Sequence, residues 1–332
     1  MWGSLLSISS SDWVGVWFGL EVNLFAVVPF FCGIGSSKEM EAVIKYYIVQ
    51  SIGSMVLLLG AIMGCCGFGF LLTKNEVNSL PFMMLMGGLI VKMGLVPFHF
   101  WIPGVMSGLS WISCLVLSVW QKLVPLVVLG SLMNGVMVNF VMLMAGLGGL
   151  IGGAGGFLQT QFRVLMAYSS IGHSGWLVAG SLCSPFSGVC YFLLYSLLTG
   201  VFFILLSYMN LEGYQSLGGS FSPVSIGVLL LMSSFLVGMA GMPPTIGFAM
   251  KWSVFLALLP DWCVLLSLLV VGSLLSLYYY LCMISSWCIH YFSLYWLVKW
   301  VSSSKLSWFV VGVLFTSLFG LGMFFLVTGL CY

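Results

Sequence analysis

Lys92, Lys122 and Lys251 lie deep inside apolar runs, and Glu21 lies inside another. An ammonium at the centre of a bilayer costs about 2.5–3.5 kcal/mol on insertion scales. Lys92 precedes Gly94 and Pro97 in KMGLVPFHFW, Lys122 precedes Pro125 in WQKLVP, and Lys251 follows Pro243 and Pro244 in GMPPTIGFAMKW. A proline inside a helix removes one backbone donor and frees the carbonyl it would have bonded. Ionisable groups beside opened backbone suit the movement of charge, and the charge they suit is a proton. The ordinary alternative is snorkelling, which serves a lysine near a helix end. Lys92 lies about twelve residues into its expected helix, beyond the reach of about one turn that snorkelling covers.

A buried carboxylate needs a partner or takes up a proton. The expected partner of Glu21 is a lysine of another helix, Lys92. At ~5 Å and an effective dielectric of ~20 a unit pair gains about 3 kcal/mol, enough for one group's protonation to change the other's. His99 follows the first break directly, and His173 lies in SSIGHSGW. Both are candidate relays, with a hydrogen-bonded packing histidine the alternative for His173. Tyr46, Tyr168 and Asn23 are candidate anchors for water, and a structural role is the simpler reading of each.

The elements that must position these groups follow from composition. The 332 residues are 61% hydrophobic and 5% charged, with a mean hydropathy of +1.20. Soluble domains carry about 25% charged residues, so this is an integral membrane protein. At ~20 residues per span the length allows about ten helices. Strands of a membrane barrel alternate polar and apolar residues, and these runs do not. The net charge of +2 gives no reason to expect nucleic acid. Asp12 and the lack of an N-terminal basic region argue against a removable signal peptide. The 10 cysteines include no CxxC, so they read as small buried hydrophobes, with no metal site expected.

The fold class is therefore all-α, a polytopic bundle. Helices are expected over about Asp12–Ile34, Ala42–Phe70, Leu80–Val105, Leu109–Gly130 and Met133–Gly153. Others are expected from Gln161, and over Pro185–Tyr208, Val224–Leu259, Trp262–Cys288 and Trp308–Leu330. Two of them, Leu80–Val105 and Val224–Leu259, are expected to be broken, and residues 1–11 are too short to span. Together they form a single transmembrane domain, residues 1–332. Lys92 precedes its break and Lys251 follows its own, an order that inverted repeats produce. The approximate repeats are residues 12–130 and 133–288, followed by a C-terminal helix at 308–330. GLGGLIGGAGG pairs glycines four apart, which favours close helix contact over a flexible loop. Lys38, Lys45, Arg163, Lys299 and Lys305 fall on one side and Lys74 on the other. The positive-inside rule turns the first side towards the cytoplasm or matrix.

LEVNLFAVVPF, EAVIKYYIVQS, KMGLVPFHFWIPGV, GLSWISCLVLSVWQKLVP, LQTQFRVLMAYSSIGHSGW and AGMPPTIGFAMKW occur in this order. From about Asp12 to Trp252 the chain closely resembles the NADH–ubiquinone oxidoreductase chain 2 family, antiporter-like proton-pumping subunits of mitochondrial respiratory complex I. The resemblance implies a charged mid-membrane row. In it Glu21 is the intramembrane glutamate, Lys92 and Lys251 are the lysines of the two broken helices, and Lys122 is the central connecting lysine. It implies that no cofactor binds this chain, with NADH, FMN, iron–sulfur clusters and ubiquinone handled elsewhere in the parent complex. It implies neighbouring antiporter-like and small membrane-arm subunits and lipid as partners, and the mitochondrial inner membrane as location. The chain departs from the family at Gly104, where a glutamate is usual, at Val164, where a basic residue is common, and ahead of Glu21, where a full first helix is expected and missing. Two rival readings remain: a free-standing monovalent cation/proton antiporter, and a membrane scaffold whose lysines merely pair. Few acids lie at the breaks to coordinate sodium, which favours protons.

Overall fold

The computed structural model describes residues 2–33, 35–65, 80–132, 136–208, 226–243 and 245–297. Among the described residues the regular elements are helices, and six are long and apolar enough to cross a membrane. These are Trp13–Cys32, Ser37–Gly64, Trp111–Ser131, Val138–Phe157, Pro185–Tyr208 and Cys263–Trp287. Shorter apolar helices, Leu80–Met93, Leu231–Ala240 and Ile246–Leu258, lie beside two interruptions. The expected helix at 308–330 and the loops with Lys74, Lys299 and Lys305 lie outside the described residues.

Helix α1 (Trp2–Ser9) has 8 residues, about 12 Å, less than half of a ~30 Å hydrocarbon core. It folds back along α2 (Trp13–Cys32), where a Cβ on Gly19 would meet the backbone nitrogen of Ser7 at 2.6 Å. Helix α3 (Ser37–Cys65) packs along α4 (Leu80–Met93). The chain turns out of the helix at Gly94 and resumes as α5 (Trp101–Met106). Helix α6 (Trp111–Leu115), a π-helical turn (Val116–Trp120) and α7 (Gln121–Leu132) form one continuous span. Then come α8 (Val136–Phe157), α9 (Phe162–Cys183) and α10 (Pro185–Tyr208). Helices α11 (Ile226–Ala240) and α12 (Ile246–Leu258) flank the second interruption, and α13 (Cys263–Leu297) closes the described chain.

The two interruptions are built alike. Gly94 and Gly241 have φ of 69° and 81°, the left-handed conformation that glycine adopts without a Cβ penalty. Leu95 N–H donates to the Ile90 carbonyl at 3.2 Å, and Met242 N–H points at the Val237 carbonyl at 3.5 Å. Both are the six-to-one contact of a Schellman end. Pro97 and Pro243 come next, and neither can continue a helix.

Three features differ from the sequence expectation. Helix α8 continues beyond Gly153 to Phe157, because its glycines are packed rather than loose: a Cβ on Gly152 would meet the Gly172 nitrogen at 2.5 Å. Helix α13 runs well past Cys288, since that stretch holds no glycine or proline to stop it. The π-helical turn inside α6–α7 has no hydropathy signature at all.

Helix α9 is less apolar than its neighbours and occupies the centre of the bundle, with most of Leu165–Gly180 buried. The outer faces carry Phe18, Phe25, Met55 and Val264, all more than half exposed and suited to lipid tails. A Cβ on Gly108 would meet the Lys38 carbonyl at 2.6 Å, and the Arg163 guanidinium lies 4.9 Å from the Trp111 ring. Phe162 packs in turn on Phe202 and Trp287. The starts of α3, α6 and α9 and the end of α10 therefore share one end of the bundle, which holds both Lys38 and Arg163.

Candidate functional site

Lys122 is aimed by the π-helical turn before it. Gln121 N–H donates to the Val116 carbonyl five residues back, and the extra residue rotates the next turn by about 100°. Pro125 offers no N–H to the Gln121 carbonyl, so the backbone is already open here. The Lys122 side chain reaches the bundle centre, only 3% exposed, and Nζ donates to the Ser170 carbonyl of α9 at 2.7 Å. It also lies 5.9 Å from the Tyr195 ring centroid. A desolvated cation over an aromatic face gains about 2 kcal/mol. Among the described residues no carboxylate pairs with it. A carbonyl and a ring hold this ammonium in place while leaving its charge uncancelled.

One turn along α9, His173 Nδ1 shares a 2.7 Å hydrogen bond with the Tyr191 hydroxyl, and its ring lies 5.1 Å from that of Tyr195. Both Lys122 and Lys251 are near enough for their charges to act on the imidazole. His173 therefore lies within electrostatic reach of both lysines and shares a cavity with Lys251.

Lys251 spans the second interruption. It belongs to α12, yet Nζ donates at 2.7 Å to the carbonyl of Ala240, the last residue of α11. Carbonyls at a helix end lack intrahelical partners and carry partial negative charge. The glycine at 241 clears the path, since a Cβ there would lie 2.8 Å from Lys251 Nζ. Lys251 and His173 also line a narrow cavity with Gly152, Gly172, Ser276 and Tyr279, with room for about one water.

On the other flank, Lys92 lies in the last turn of α4, 5% exposed, with its stem across Gly53 of α3. Glu21 is near enough to act on it electrostatically, although the two form no ion pair within 4 Å. Glu21 Oε2 is buried without a partner. Two residues on, Asn23 Nδ2 donates to Gln121 Oε1 at 3.4 Å, which ties α2 to the residue beside Lys122. Gln121 Nε2 is likewise unpartnered. Orphaned buried polar atoms of this kind mark positions that ordered water satisfies.

The structure thus brings Glu21 near Lys92, and His173 near both Lys122 and Lys251. It does not join His99 to either group: its Nδ1 lies 3.2 Å from the Pro97 carbonyl and its ring packs at a tilt against Phe100, 4.1 Å between centroids. Tyr46 is packed between Phe31 and Trp101. The sequence reading missed the Ser170 carbonyl, Tyr191, Tyr195 and Gln121. No local motif marks any of them, since each acts on a residue of another helix.

Residues 10–276 match the family described as NADH:quinone oxidoreductase/Mrp antiporter, TM. The NADH-ubiquinone oxidoreductase chain 2 of Lumbricus terrestris is 34% identical over 85% of this chain and 83% of its own. That of Locusta migratoria is 36% identical over 85% of this chain and 81% of its own. The fold is also that of a chain in respiratory complex I from Thermus thermophilus, with a TM-score of 0.77, 22% identity, and coverage of 96% of this chain and 75% of that one. An antiporter-type membrane region over most of its length, and this identity to curated relatives, make the chain a member of the NADH-ubiquinone oxidoreductase chain 2 family.

Proposed function

We propose that the chain is a core membrane-arm subunit of a proton-pumping NADH:ubiquinone oxidoreductase. It translocates protons along a mid-membrane row of Glu21, Lys92, Lys122, His173 and Lys251, while electrons move through other subunits. The observation that supports this most is that His173 lies within electrostatic reach of buried Lys122 and partly buried Lys251, neither of which has a carboxylate partner among the described residues. A scaffold gains nothing from uncancelled charge at that depth, where each ammonium costs about 2.5–3.5 kcal/mol.

Magnitudes favour the same reading. Moving one charge across 100 mV takes about 2.3 kcal/mol. A unit charge appearing ~5 Å away at an effective dielectric of ~20 changes a neighbour's energy by about 3 kcal/mol. Protonating one member of the row is therefore enough to drive the next. A lysine that gives up its proton loses the charge that strengthens its bond to the Ser170 or Ala240 carbonyl, and the side chain is then free to swing along the row.

The finer architecture belongs to the same proposal: about ten spans in approximate inverted repeats, two of them broken at Gly94 and Gly241, in the mitochondrial inner membrane. Neighbouring antiporter-like and small membrane-arm subunits are the partners, and this chain binds none of the NADH, FMN, iron–sulfur or ubiquinone groups of the parent complex. The matching family also covers Mrp antiporters, so a free-standing antiporter is the rival reading. The carbonyls and the Thr245 hydroxyl at the second interruption supply no carboxylate for sodium, which supports protons. The test is proton transport per NADH oxidised in assembled complex bearing Lys92→Met and Lys251→Met. A large loss with the complex intact is expected; wild-type pumping by the double variant overturns the reading.

A further inference from the structure

Tyr191 belongs to no motif of the sequence, yet its hydroxyl makes the hydrogen bond that holds His173, 2.7 Å from Nδ1. Both side chains are interior, Tyr191 completely so and His173 5% exposed. The crossing of α9 and α10 is fixed within a turn of this contact. A Cβ on Gly188 would meet the Ser181 Cα at 2.6 Å, and the Ser187 hydroxyl donates to the Gly180 carbonyl at 2.8 Å. Gly188 and Ser187 stand three and four positions before Tyr191, so they share its face of α10. Backbone with little room to shift therefore carries the Tyr191 ring to His173.

The hydrogen-bond roles of an imidazole change with its charge. Neutral, it has one N–H and one bare nitrogen; protonated, both nitrogens donate. A partner at Nδ1 that only donates serves the bare nitrogen, and one that only accepts serves the N–H. A phenolic hydroxyl turns about its C–O bond and does either. The titratable groups around the ring are Lys122 of α7, Lys251 of α12, Tyr195 of α10 and Tyr279 of α13, with Tyr280 near enough to act on Tyr191. Helices α5 and α8, which also pack on α9, bring no titratable side chain. Ammonium groups only donate. Tyr195 meets His173 ring to ring, 5.1 Å between centroids. None of these groups is a carboxylate that could replace the Tyr191 hydroxyl at Nδ1.

We propose that Tyr191 is a positioning residue of the proton row. Its hydroxyl donates to His173 Nδ1 while that nitrogen is bare and accepts from it once it carries a hydrogen. The imidazole thus keeps one orientation through each proton it exchanges with the lysines of the row. The inference rests on the reading of His173 as a member of that row. Tyr191 keeps its own hydrogen throughout, and only the direction of its hydrogen bond reverses. Phenylalanine at this position leaves a buried nitrogen unpaired in either state, which favours a turned ring.

The experiment is a cycle of Tyr191→Phe, His173→Gln and the two together, in assembled complex in sealed vesicles. Tyr191→Phe removes one oxygen and keeps the packed ring. Its rate of proton transport is expected to fall about tenfold, the effect of losing one hydrogen bond to a group that becomes charged, with complex abundance unchanged. In the His173→Gln background the same substitution should not lower the residual transport further, since a residue acting through another has no effect once that other is replaced. Additive losses mark a merely structural tyrosine and overturn the proposal. Wild-type transport by Tyr191→Phe beside a failed His173→Gln overturns the positioning role alone. Wild-type transport by His173→Gln removes His173 from the row and the positioning role with it. If Tyr191→Phe does not assemble, or His173→Gln leaves no transport to compare, the unaltered complex decides. Its density at about pH 5 and about pH 8, the range over which histidine changes charge, should keep Nδ1 within hydrogen-bond reach of the Tyr191 hydroxyl. A ring turned away from Tyr191 at either pH overturns the proposal.

Discussion

At the residue scale, the three interior lysines, two buried and Lys251 partly so, are held in three different ways. Lys122 rests on the Ser170 carbonyl, Lys251 rests on the orphan carbonyl of Ala240, and Lys92 lies within the field of Glu21. Only the last has an acid nearby, and even there the groups are not in ion-pair contact among the described residues. Lys122 gives the sharpest contrast between structural and functional roles. Its insertion costs about 2.5–3.5 kcal/mol, and a hydrogen bond from a charged group returns about 1.5–3 kcal/mol, so the two nearly cancel. Lys122→Met, similar in volume, is therefore expected to leave assembly and stability within about 1–2 kcal/mol of wild type. Proton transport per NADH should fall with little change in complex abundance. Loss of assembly together with normal pumping in the remaining complex would make Lys122 a structural residue.

At the element scale, the interruptions at Gly94 and Gly241 are the same device used twice. Each ends a helix with a left-handed glycine and a bond reaching back to the last turn, and each leaves a carbonyl to a side chain, that of Lys92 to Gln50 and that of Ala240 to Lys251. Such irregular backbone survives at membrane depth only where protein or water covers it. Gly241→Ala is expected to destabilise by about 1–2 kcal/mol from the left-handed conformation alone. It also displaces Lys251, whose Nζ would meet the new methyl at 2.8 Å. Pumping should therefore fall further than abundance does. Gly87→Ala, on α4 with nothing within 4 Å of its new Cβ, serves as the neutral control. Equal effects of the two substitutions on transport would show that the Lys251–Ala240 contact is incidental.

At the scale of the whole molecule, one end of the bundle carries Lys38, Lys45 and Arg163, with Glu41 paired to Lys45. Lys38 and Arg163 share that end although they lie far apart in sequence, and Lys45 lies on the first turns of α3 at the same end. The positive-inside rule turns this end to the cytoplasm or, in the proposed mitochondrial setting, to the matrix. A cysteine introduced at the exposed position Ser36 should react with an impermeant thiol reagent only from the matrix side of inner-membrane vesicles. Reaction from the intermembrane side would invert the topology.

Hydropathy is a local property of a run of residues, which is why the spans were legible from sequence. Pro185–Tyr208 matches its expected bounds, and the glycine–proline signals at 94–97 and 241–243 fall where the helices end. The burial of Lys92 and Lys122 inside apolar runs was legible for the same reason. What each side chain faces was not. In lipid a helix is apolar on all sides, so the pattern that marks the inward face of a soluble helix is absent. Rotation about the helix axis is then set by contacts between helices: the widened turn that points Lys122 at Ser170, 48 positions away, and the glycine faces that let α8 approach α9 and α13. His173 came within reach of two lysines, and of a water-sized cavity shared with Lys251, only when those helices came together, because both depend on distances between residues that no local stretch of sequence contains.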